Sequence, residues 1–239
     1  MIDLADSILA TNLDPRAAHT YQTKFEDAGC SFRLGAKVCS VQGDASGTIN
    51  ALTLESGERL PCDLLIVAAG VKPALGFLAN SGIETARAIT VDAHMATSVT
   101  NVYAAVDITG LSESWPSAVT QGEIAAMNMC GVPTAHPGLF LPKNTVHFFG
   151  VPSLSIGRFT AEDGETEHIR EDRNRYQKTV LHDGVPVGVI LQGDISRSGF
   201  WQQLIQEKVN IAEMHPSIWN VSFADAYHVD EKGEYQWLI

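Results

Sequence analysis

The carboxylate of Asp107 is the side chain in this sequence whose type and position best suit ligand binding. It follows the short apolar run of residues 102–106, which is predicted to form a strand. Open α/β sheets bind ligands at the carboxyl ends of their strands, and a carboxylate there accepts hydrogen bonds from a sugar or polyol. The same residue also suits a structural turn after the strand. Spacing alone leaves both interpretations open.

A helix predicted to begin near Pro116 and Ser117 and to end at Gly131 lies shortly after this carboxylate. The first N–H groups of a helix have no partner within it, so they can face an anionic or electron-rich ligand. One face of the predicted helix carries Ala118, Gly122, Ala125 and Met129. Small residues of this kind suit close packing against another element and equally against a flat ligand.

Other patterns of catalytic or metal-binding residues are absent from the sequence. Its 8 histidines show no H-x-x-x-H or H-E-x-x-H spacing, and no G-x-S-x-G occurs, so we assign no catalytic residue and no metal ligand. The 4 cysteines, Cys30, Cys39, Cys62 and Cys130, form no C-x-x-C pair. They are expected to be small buried side chains in a reducing cytoplasm, and a redox pair between Cys30 and Cys39 stays open.

Charge and composition exclude further classes of protein. A net charge of −12 without a basic cluster argues against a nucleic-acid partner. The longest apolar run, residues 64–71, is much shorter than the roughly 20 residues that a membrane helix needs. The N-terminus lacks the basic region of a secretory signal. We therefore predict a globular, cytoplasmic protein that contacts neither nucleic acid nor membrane.

The first half of the chain shows the signals of an α/β protein. A helix is expected after Asp14, with Pro15 at its first position and Gly29 as its stop. Three short strands separated by Gly- and Ser-containing turns then predict an antiparallel meander. The continuous apolar run of residues 62–70 predicts a central strand that is buried on both faces.

The C-terminal part has the pattern of an α+β domain. It follows a Pro- and Gly-rich break at residues 131–144. Four strands are expected, the first of them over residues 147–159, and a helix is expected near residues 199–208. The dipeptide Asp183-Gly184 lies between two apolar runs and predicts a hairpin turn.

Three segments, in order, resemble the pyridine nucleotide-disulfide oxidoreductase family: "LPCDLLIVAAGVKPALGFLANSGI", "ITVDAHMATSVTNVYAAVDITG" and "SAVTQGEIAAMNMCG". Members of this family are flavoproteins that pass electrons from NADH or NADPH through FAD. The tail "RNRYQKTVLHDGVPVGVILQGD" is similar to the C-terminal domain of the NADH oxidase, rubredoxin reductase and nitrite reductase branch. The resemblance covers essentially the whole chain.

The resemblance implies roles for particular residues. Asp107 matches the family aspartate that hydrogen-bonds the ribityl chain of FAD. Ser117, Ala118 and Val119 match the start of the helix that faces the flavin pyrimidine ring. Gly70 matches the glycine that lets the backbone approach the dinucleotide cofactor. FAD and NAD(P)H are therefore the expected cofactors.

Three departures from the family pattern accompany this resemblance. Val106 stands where the family has glycine, and a β-branched side chain there crowds a cofactor that the backbone would otherwise approach. No G-x-G-x-x-G is present, although the family carries two, and the redox cysteine motif of some relatives is absent. The simplest interpretation is a truncated two-dinucleotide-fold flavoprotein that begins after the glycine loop of its NAD(P)H domain.

The expected organisation has three parts. Residues 1–72 would be a partial NAD(P)H-binding domain, residues 73–138 the C-terminal segment of the FAD domain, and residues 139–239 an α+β domain of the dimerisation type. The expected function is that of an FAD-dependent NAD(P)H oxidoreductase, inactive as this portion alone. The partner would be a second copy or the missing N-terminal portion. The alternative is a non-catalytic module that dimerises or binds a partner.

Overall fold

The chain folds into two compact units. The computed structural model describes residues 1–111, 114–136 and 141–237. Residues 1–67 and 143–239 together form unit 1, and residues 68–142 form unit 2. The first unit therefore joins segments from the two ends of the sequence.

The helix predicted after Asp14 is confirmed and extends over Pro15–Asp27 (α1). The Asp14 carboxylate accepts a hydrogen bond from the N–H of Ala17 at 2.9 Å, which satisfies one of the free donors of the first turn. Pro15 occupies the position where its missing N–H has no consequence. Gly29 follows the helix with a φ of +93°, which glycine adopts without strain.

The antiparallel meander is also confirmed. Its strands are β1 (Val38–Gly43), β2 (Ile49–Leu54) and β3 (Arg59–Pro61), in the spatial order β1-β2-β3. The opening residues of the chain contribute a single parallel bridge, between Ile2 and Arg33.

A five-stranded antiparallel sheet forms the largest part of unit 1, in the order β4-β5-β8-β7-β6. Its strands are β4 (Lys143–Phe148), β5 (Val151–Gly157), β6 (Thr166–Asp172), β7 (Arg175–His182) and β8 (Val185–Gln192).

Two turns of this sheet can be compared with the sequence predictions, the one between β7 and β8 and the one between β4 and β5. Asp183 and Gly184 have φ values of +49° and +81°, so the predicted hairpin turn is confirmed. The single strand predicted over residues 147–159 is wrong. Phe149 and Gly150 also have positive φ values, +52° and +72°, and they turn the chain between β4 and β5.

Smaller elements complete unit 1. The predicted helix near residues 199–208 is observed as α3 (Ser198–Gln206). A 3-10 helix (Ile218–Asn220) and a short helix α4 (Phe223–Ala226) lead to a two-stranded ribbon. The ribbon pairs β9 (Tyr227–Val229) with β10 (Tyr235–Trp237).

Helix α1 shares its core with the five-stranded sheet. The hydroxyl of Tyr21 lies 2.7 Å from the carbonyl oxygen of Val151 and 2.8 Å from the hydroxyl of Ser153. The amide of Gln192 donates to the carbonyl oxygen of Ala17 at 3.0 Å. The C-terminal sheet thus has an N-terminal helix as part of its interior.

A buried polar network joins the same two elements. The hydroxyl of Tyr176 donates to Asp14 Oδ2 at 2.6 Å. Burial of this phenol raises its pKa above the usual value for tyrosine. Lys178 Nζ lies 3.7 Å from Asp14 Oδ2 and 2.7 Å from Glu167 Oε1. No polar side-chain atom that is buried in the described residues lacks a hydrogen-bond partner. Complete satisfaction of such a network favours one arrangement of α1 on the sheet.

Unit 2 contains less regular structure. It has two 3-10 helices, Gly76–Leu78 and Val106–Thr109, and one long helix, α2 (Trp115–Met129), which confirms the helix predicted near residues 116–131. Its described buried hydrophobic residues are Ile89, Met95, Ile124 and Ala125, of which the last three form one cluster. At 15 residues, α2 is the longest helix described, and none of the described helices is long and apolar enough to cross a membrane.

The strand predicted over residues 62–70 is wrong. Strand β3 ends at Pro61, and residues 62–70 lie in none of the described strands. Leu64 and Ile66 are 76% and 79% exposed rather than buried. An extended segment becomes a buried strand only when neighbouring strands take up its N–H and C=O groups, and the described residues provide none beside this run.

Candidate functional site

Asp107 lies in the 3-10 helix Val106–Thr109 and not at the end of a strand. The strand predicted over residues 102–106 is therefore wrong. In a strand, the N–H of Val106 would bond to a neighbouring strand; here it donates to the side-chain Oε1 of Gln121 at 2.8 Å. The Asp107 side chain is nevertheless exposed, so a ligand can reach its carboxylate.

Gln121 connects this turn to helix α2. Its side chain is fully buried, and its Oε1 lies 2.8 Å from the N–H of Val106 and 2.9 Å from the hydroxyl of Thr109. Its Nε2 donates to Ser117 Oγ at 3.0 Å. Because both ends of the amide are hydrogen-bonded in the interior, Gln121 determines where Asp107 lies relative to the first turn of α2.

The three predicted residues at the start of α2 differ in their surroundings. Ser117 is half-buried and holds the Gln121 amide. Ala118 is half-buried, and its N–H donates to the carbonyl oxygen of Ser114 at 3.0 Å. Val119 is exposed. The structure thus brings Ser117 together with the Asp107 turn, through Gln121.

A cavity of about 450 Å³ in unit 2 has Asp107 in its wall. Residues 86–91 and 109–111 form most of its lining, and Val71 and Pro73 complete it. The cavity is large enough for part of a cofactor, and Asp107, Arg87, Thr90 and Thr109 are the residues of its lining with polar side chains.

Gly70 lies immediately before this lining. Its φ is +80°, a conformation that side chains rarely adopt. A Cβ added there would have no described atom within 4 Å. Glycine is therefore favoured at this position by the backbone conformation and not by close packing against other described residues.

Val106 also has a positive φ, +67°, and is not a glycine. A β-branched residue is an outlier in this region, and such strain costs about 1–3 kcal/mol. The surrounding structure holds it there, because its N–H bonds to Gln121 and its carbonyl oxygen lies 2.8 Å from the hydroxyl of Thr109. Its side chain is 40% exposed, so burial does not offset the strain.

The part of the chain that the structure describes contains neither a metal-binding cluster nor a disulfide. These residues contain no group of three or more His, Cys, Asp or Glu side chains that could hold a metal ion. The prediction of buried cysteines is wrong, because Cys30, Cys39 and Cys130 are exposed and Cys62 is half-buried. Cys39 lies on β1, whose side chains are mostly exposed, and all four cysteines are free thiols.

Comparison with known proteins identifies the family. Residues 1–122 match the model of the pyridine nucleotide-disulphide oxidoreductases. The chain belongs to this family. Residues 142–209 match the rubredoxin NAD+ reductase C-terminal domain, which confirms the predicted branch of the pyridine nucleotide-disulphide oxidoreductases.

Individual members show how much of such a protein the chain represents. The NADH-dependent phenylglyoxylate dehydrogenase subunit epsilon of Aromatoleum evansii is 33% identical over 228 residues, which is 90% of this chain and 53% of that protein. The rubredoxin-NAD(+) reductase of Pseudomonas putida is 33% identical over 147 residues, 57% of this chain and 38% of that protein. The chain therefore spans about half the length, or less, of these two relatives.

Solved structures show the same fold. The ferredoxin reductase for the CYP199A2 system of Rhodopseudomonas palustris superposes with a TM-score of 0.72 at 20% identity, over 87% of this chain and 54% of that one. The fold is therefore a partial pyridine nucleotide-disulphide oxidoreductase fold with a rubredoxin-reductase-type C-terminal domain, mixed α/β in composition.

Sequence reasoning missed Gln121 and Thr109, the two side chains that hold the Asp107 turn. One signal was available. Gln121 lies four residues after Ser117, so both occupy one helix face, which is otherwise occupied by small residues. A polar amide on a face expected to be packed needs a buried partner.

Proposed function

We propose that this chain contributes to an FAD-dependent NAD(P)H oxidoreductase, which passes electrons from reduced nicotinamide through flavin to an acceptor. Family membership supports the proposal. The observation that carries it is the exposed Asp107, which lies in a turn that Gln121 connects to Ser117 in the first turn of α2. FAD, when bound, supplies the electron-transfer chemistry, and the protein binds and orients it.

The described residues fit one part of FAD. We assign the Asp107 carboxylate to the ribityl hydroxyls of FAD, whose hydrogen bonds it would accept, and the first turn of α2, Ser117 to Val119, to the flavin pyrimidine ring. Gly70 is assigned to close approach of a dinucleotide. Val106 departs from this fit, because its side chain occupies space that a glycine would leave free.

The 239-residue chain alone is expected to purify without FAD and not to oxidise NADH. One charge-assisted hydrogen bond contributes roughly 1.5–3 kcal/mol, and a helix N-terminus roughly 0.3–1 kcal/mol. Association costs about 4–15 kcal/mol. The sequence has no G-x-G-x-x-G loop to hold the pyrophosphate, so these contributions do not give tight binding.

Co-expression tests the proposal. We expect an amino-terminal reductase segment that carries the two glycine loops of the family pattern to restore bound FAD, visible as a yellow protein. Asp107→Ala should then remove the flavin absorbance. Glu123→Ala, an exposed carboxylate on α2, is the matched control and should keep it. Stoichiometric FAD in the chain alone, or no effect of Asp107→Ala on FAD in the complemented protein, would contradict the assignment.

A second candidate is a non-catalytic module that dimerises or binds a partner in the cytoplasm. The exposed side chains of Leu64, Ile66 and Val67 favour it, because contiguous exposed apolar residues mark interaction sites. We propose a homo-oligomer or a complex with a polypeptide that supplies the remaining part of the enzyme. Light scattering that shows a stable 25.8 kDa monomer at high concentration would contradict the homo-oligomer.

A further inference from the structure

The chain bends at Arg87, next to the turn that contains Asp107. Thr85 and Ile89 form an isolated antiparallel bridge, and Arg87 lies midway between them. We call residues 85–89 the Arg87 turn. The N–H of Ile89 donates to the carbonyl oxygen of Ile108 at 2.9 Å. This backbone hydrogen bond joins the Arg87 turn to the Asp107 turn within unit 2.

The residue after Arg87 packs against the end of the Asp107 turn. A Cβ built on Gly110 would lie 3.0 Å from the Cβ of Ala88, which is a tight contact. Ala88 is half-buried, whereas Arg87 is exposed. Ala88 therefore occupies the contact between the two turns, and Arg87 remains accessible to a ligand.

Arg87 and Asp107 are the two charged residues in the lining of the cavity of about 450 Å³. They form no ion pair with each other, and among the described residues the Arg87 guanidinium has neither an ion pair nor a hydrogen bond. A guanidinium presents its N–H donors in a planar fork that matches the oxygens of a phosphate. The lining thus offers a cation and a carboxylate separately, to different parts of one ligand.

Arg87 also supplies a positive charge that is scarce in unit 2. Between residues 68 and 142 the sequence has Lys or Arg at two positions, Lys72 and Arg87, and the net charge of the whole chain is −12. A negative protein repels an anionic ligand unless a local cation offsets its field. Lys72 is not part of the cavity lining. Arg87 is therefore the cation that this cavity offers to a phosphate.

We propose that Arg87 binds a phosphate group of the ligand whose hydroxyl groups Asp107 binds. The cavity then takes a polyol phosphate in preference to an uncharged polyol. The inference rests on the proposed function, in which this ligand is FAD. The ribityl chain of FAD carries hydroxyl groups along its length and ends on the diphosphate, so one ligand presents both groups. Arg87 is a single contact and does not replace a glycine loop.

Riboflavin and FMN test this inference, because they share the flavin ring and the ribityl chain, and FMN adds the terminal phosphate. Each flavin is titrated with the 239-residue chain up to millimolar protein and followed by flavin fluorescence polarisation. FMN should bind about fivefold to tenfold more tightly than riboflavin, as expected for one charge-assisted hydrogen bond at an exposed site. Arg87→Gln should remove this preference, and Arg87→Lys should keep part of it.

Two further variants control the interpretation. Lys72→Gln removes the same charge from unit 2 at a position outside the cavity lining, so it should keep the preference for FMN. Asp107→Ala should weaken the binding of both flavins, because its carboxylate is assigned to the ribityl hydroxyl groups that they share.

Equal affinity of the unaltered chain for the two flavins, or a preference that survives Arg87→Gln, would overturn the role of Arg87. An equal loss in Lys72→Gln would also overturn it, because net charge and not a contact would then explain the preference. Flavin binding that Asp107→Ala does not weaken would place the flavin outside this cavity and overturn the inference, as would absence of binding of either flavin. The proposed function is decided separately by the co-expressed protein, where FAD that survives Asp107→Ala would contradict it.

Discussion

The two units differ in what holds them together. Unit 1 buries large side chains such as Trp201 and Tyr21 and satisfies a buried polar network under α1. The described residues of unit 2 form one small hydrophobic cluster, Met95, Ile124 and Ala125, and buried polar contacts of Gln121 hold the Asp107 turn. The candidate ligand-binding residues thus lie where apolar burial is small and hydrogen bonds determine the geometry. Such regions have the lower local stability that binding sites often show.

The largest expected effect comes from removing Trp201 in unit 1, and Trp115 in unit 2 is the comparison. Trp201 is 1% exposed and its ring centroid lies 5.5 Å from that of Trp219, whereas Trp115 is 84% exposed. Trp201→Ala should lower the free energy of unfolding by about 3–5 kcal/mol. Trp115→Ala should change it by less than about 0.5 kcal/mol. Urea denaturation followed by circular dichroism measures both, and similar losses would remove the contrast between the units.

Asp14→Ala should have the next largest effect. It removes the cap of α1 and leaves the buried hydroxyl of Tyr176 without its acceptor, so we expect a loss of about 2–4 kcal/mol in the free energy of unfolding. Arg16→Ala removes a solvent-exposed ion pair with Glu171 and should cost less than about 1 kcal/mol. If the two variants unfold at the same urea concentration, the buried network does not stabilise unit 1.

Val106→Gly should stabilise unit 2 by about 0.5–1 kcal/mol, because relief of strain exceeds the entropy that glycine adds to the unfolded chain. Asp183→Gly in unit 1 is the matched control. Asp183 also has a positive φ, +49°, but aspartate tolerates it, so its replacement should be nearly neutral. Amide hydrogen exchange in residues 104–121 reports on unit 2 directly, and faster exchange in Val106→Gly would be the opposite of the expected result.

The smallest effect is a change with pH in unit 1. The Arg158 guanidinium, together with the backbone N–H of Glu162, lowers the pKa of Glu165 from 4.5 to about 2. A lowered pKa contributes stability that is present above about pH 4.5 and is lost as the pH falls towards 2. Glu165→Gln should flatten the stability profile in that interval. Glu123→Gln in unit 2 should not change it, and an unchanged profile in both variants would refute the contribution of Glu165.

Elements whose signals are local could be predicted from the sequence. Asp14, Pro15 and Gly29 mark the two ends of α1 by their own backbone preferences and capping bonds. Asp183-Gly184 adopts the positive φ values of its turn. The family assignment also came from sequence, because its motifs are continuous segments. Each of these signals depends on residues that are close together in the chain.

Contacts between residues distant in sequence decided the rest. The apolar run at residues 62–70 has the composition of a buried strand, yet no described strand pairs with it, and composition cannot supply that partner. The turn at Asp107 depends on Gln121, 14 residues later, and α1 packs on a sheet whose Gln192 is 175 residues from Ala17. Sequence alone placed Asp107 after an apolar run. Only the tertiary structure decided that this run ends in a strained turn, because Val106 forms hydrogen bonds with the buried side chains of Gln121 and Thr109 in place of those with a neighbouring strand.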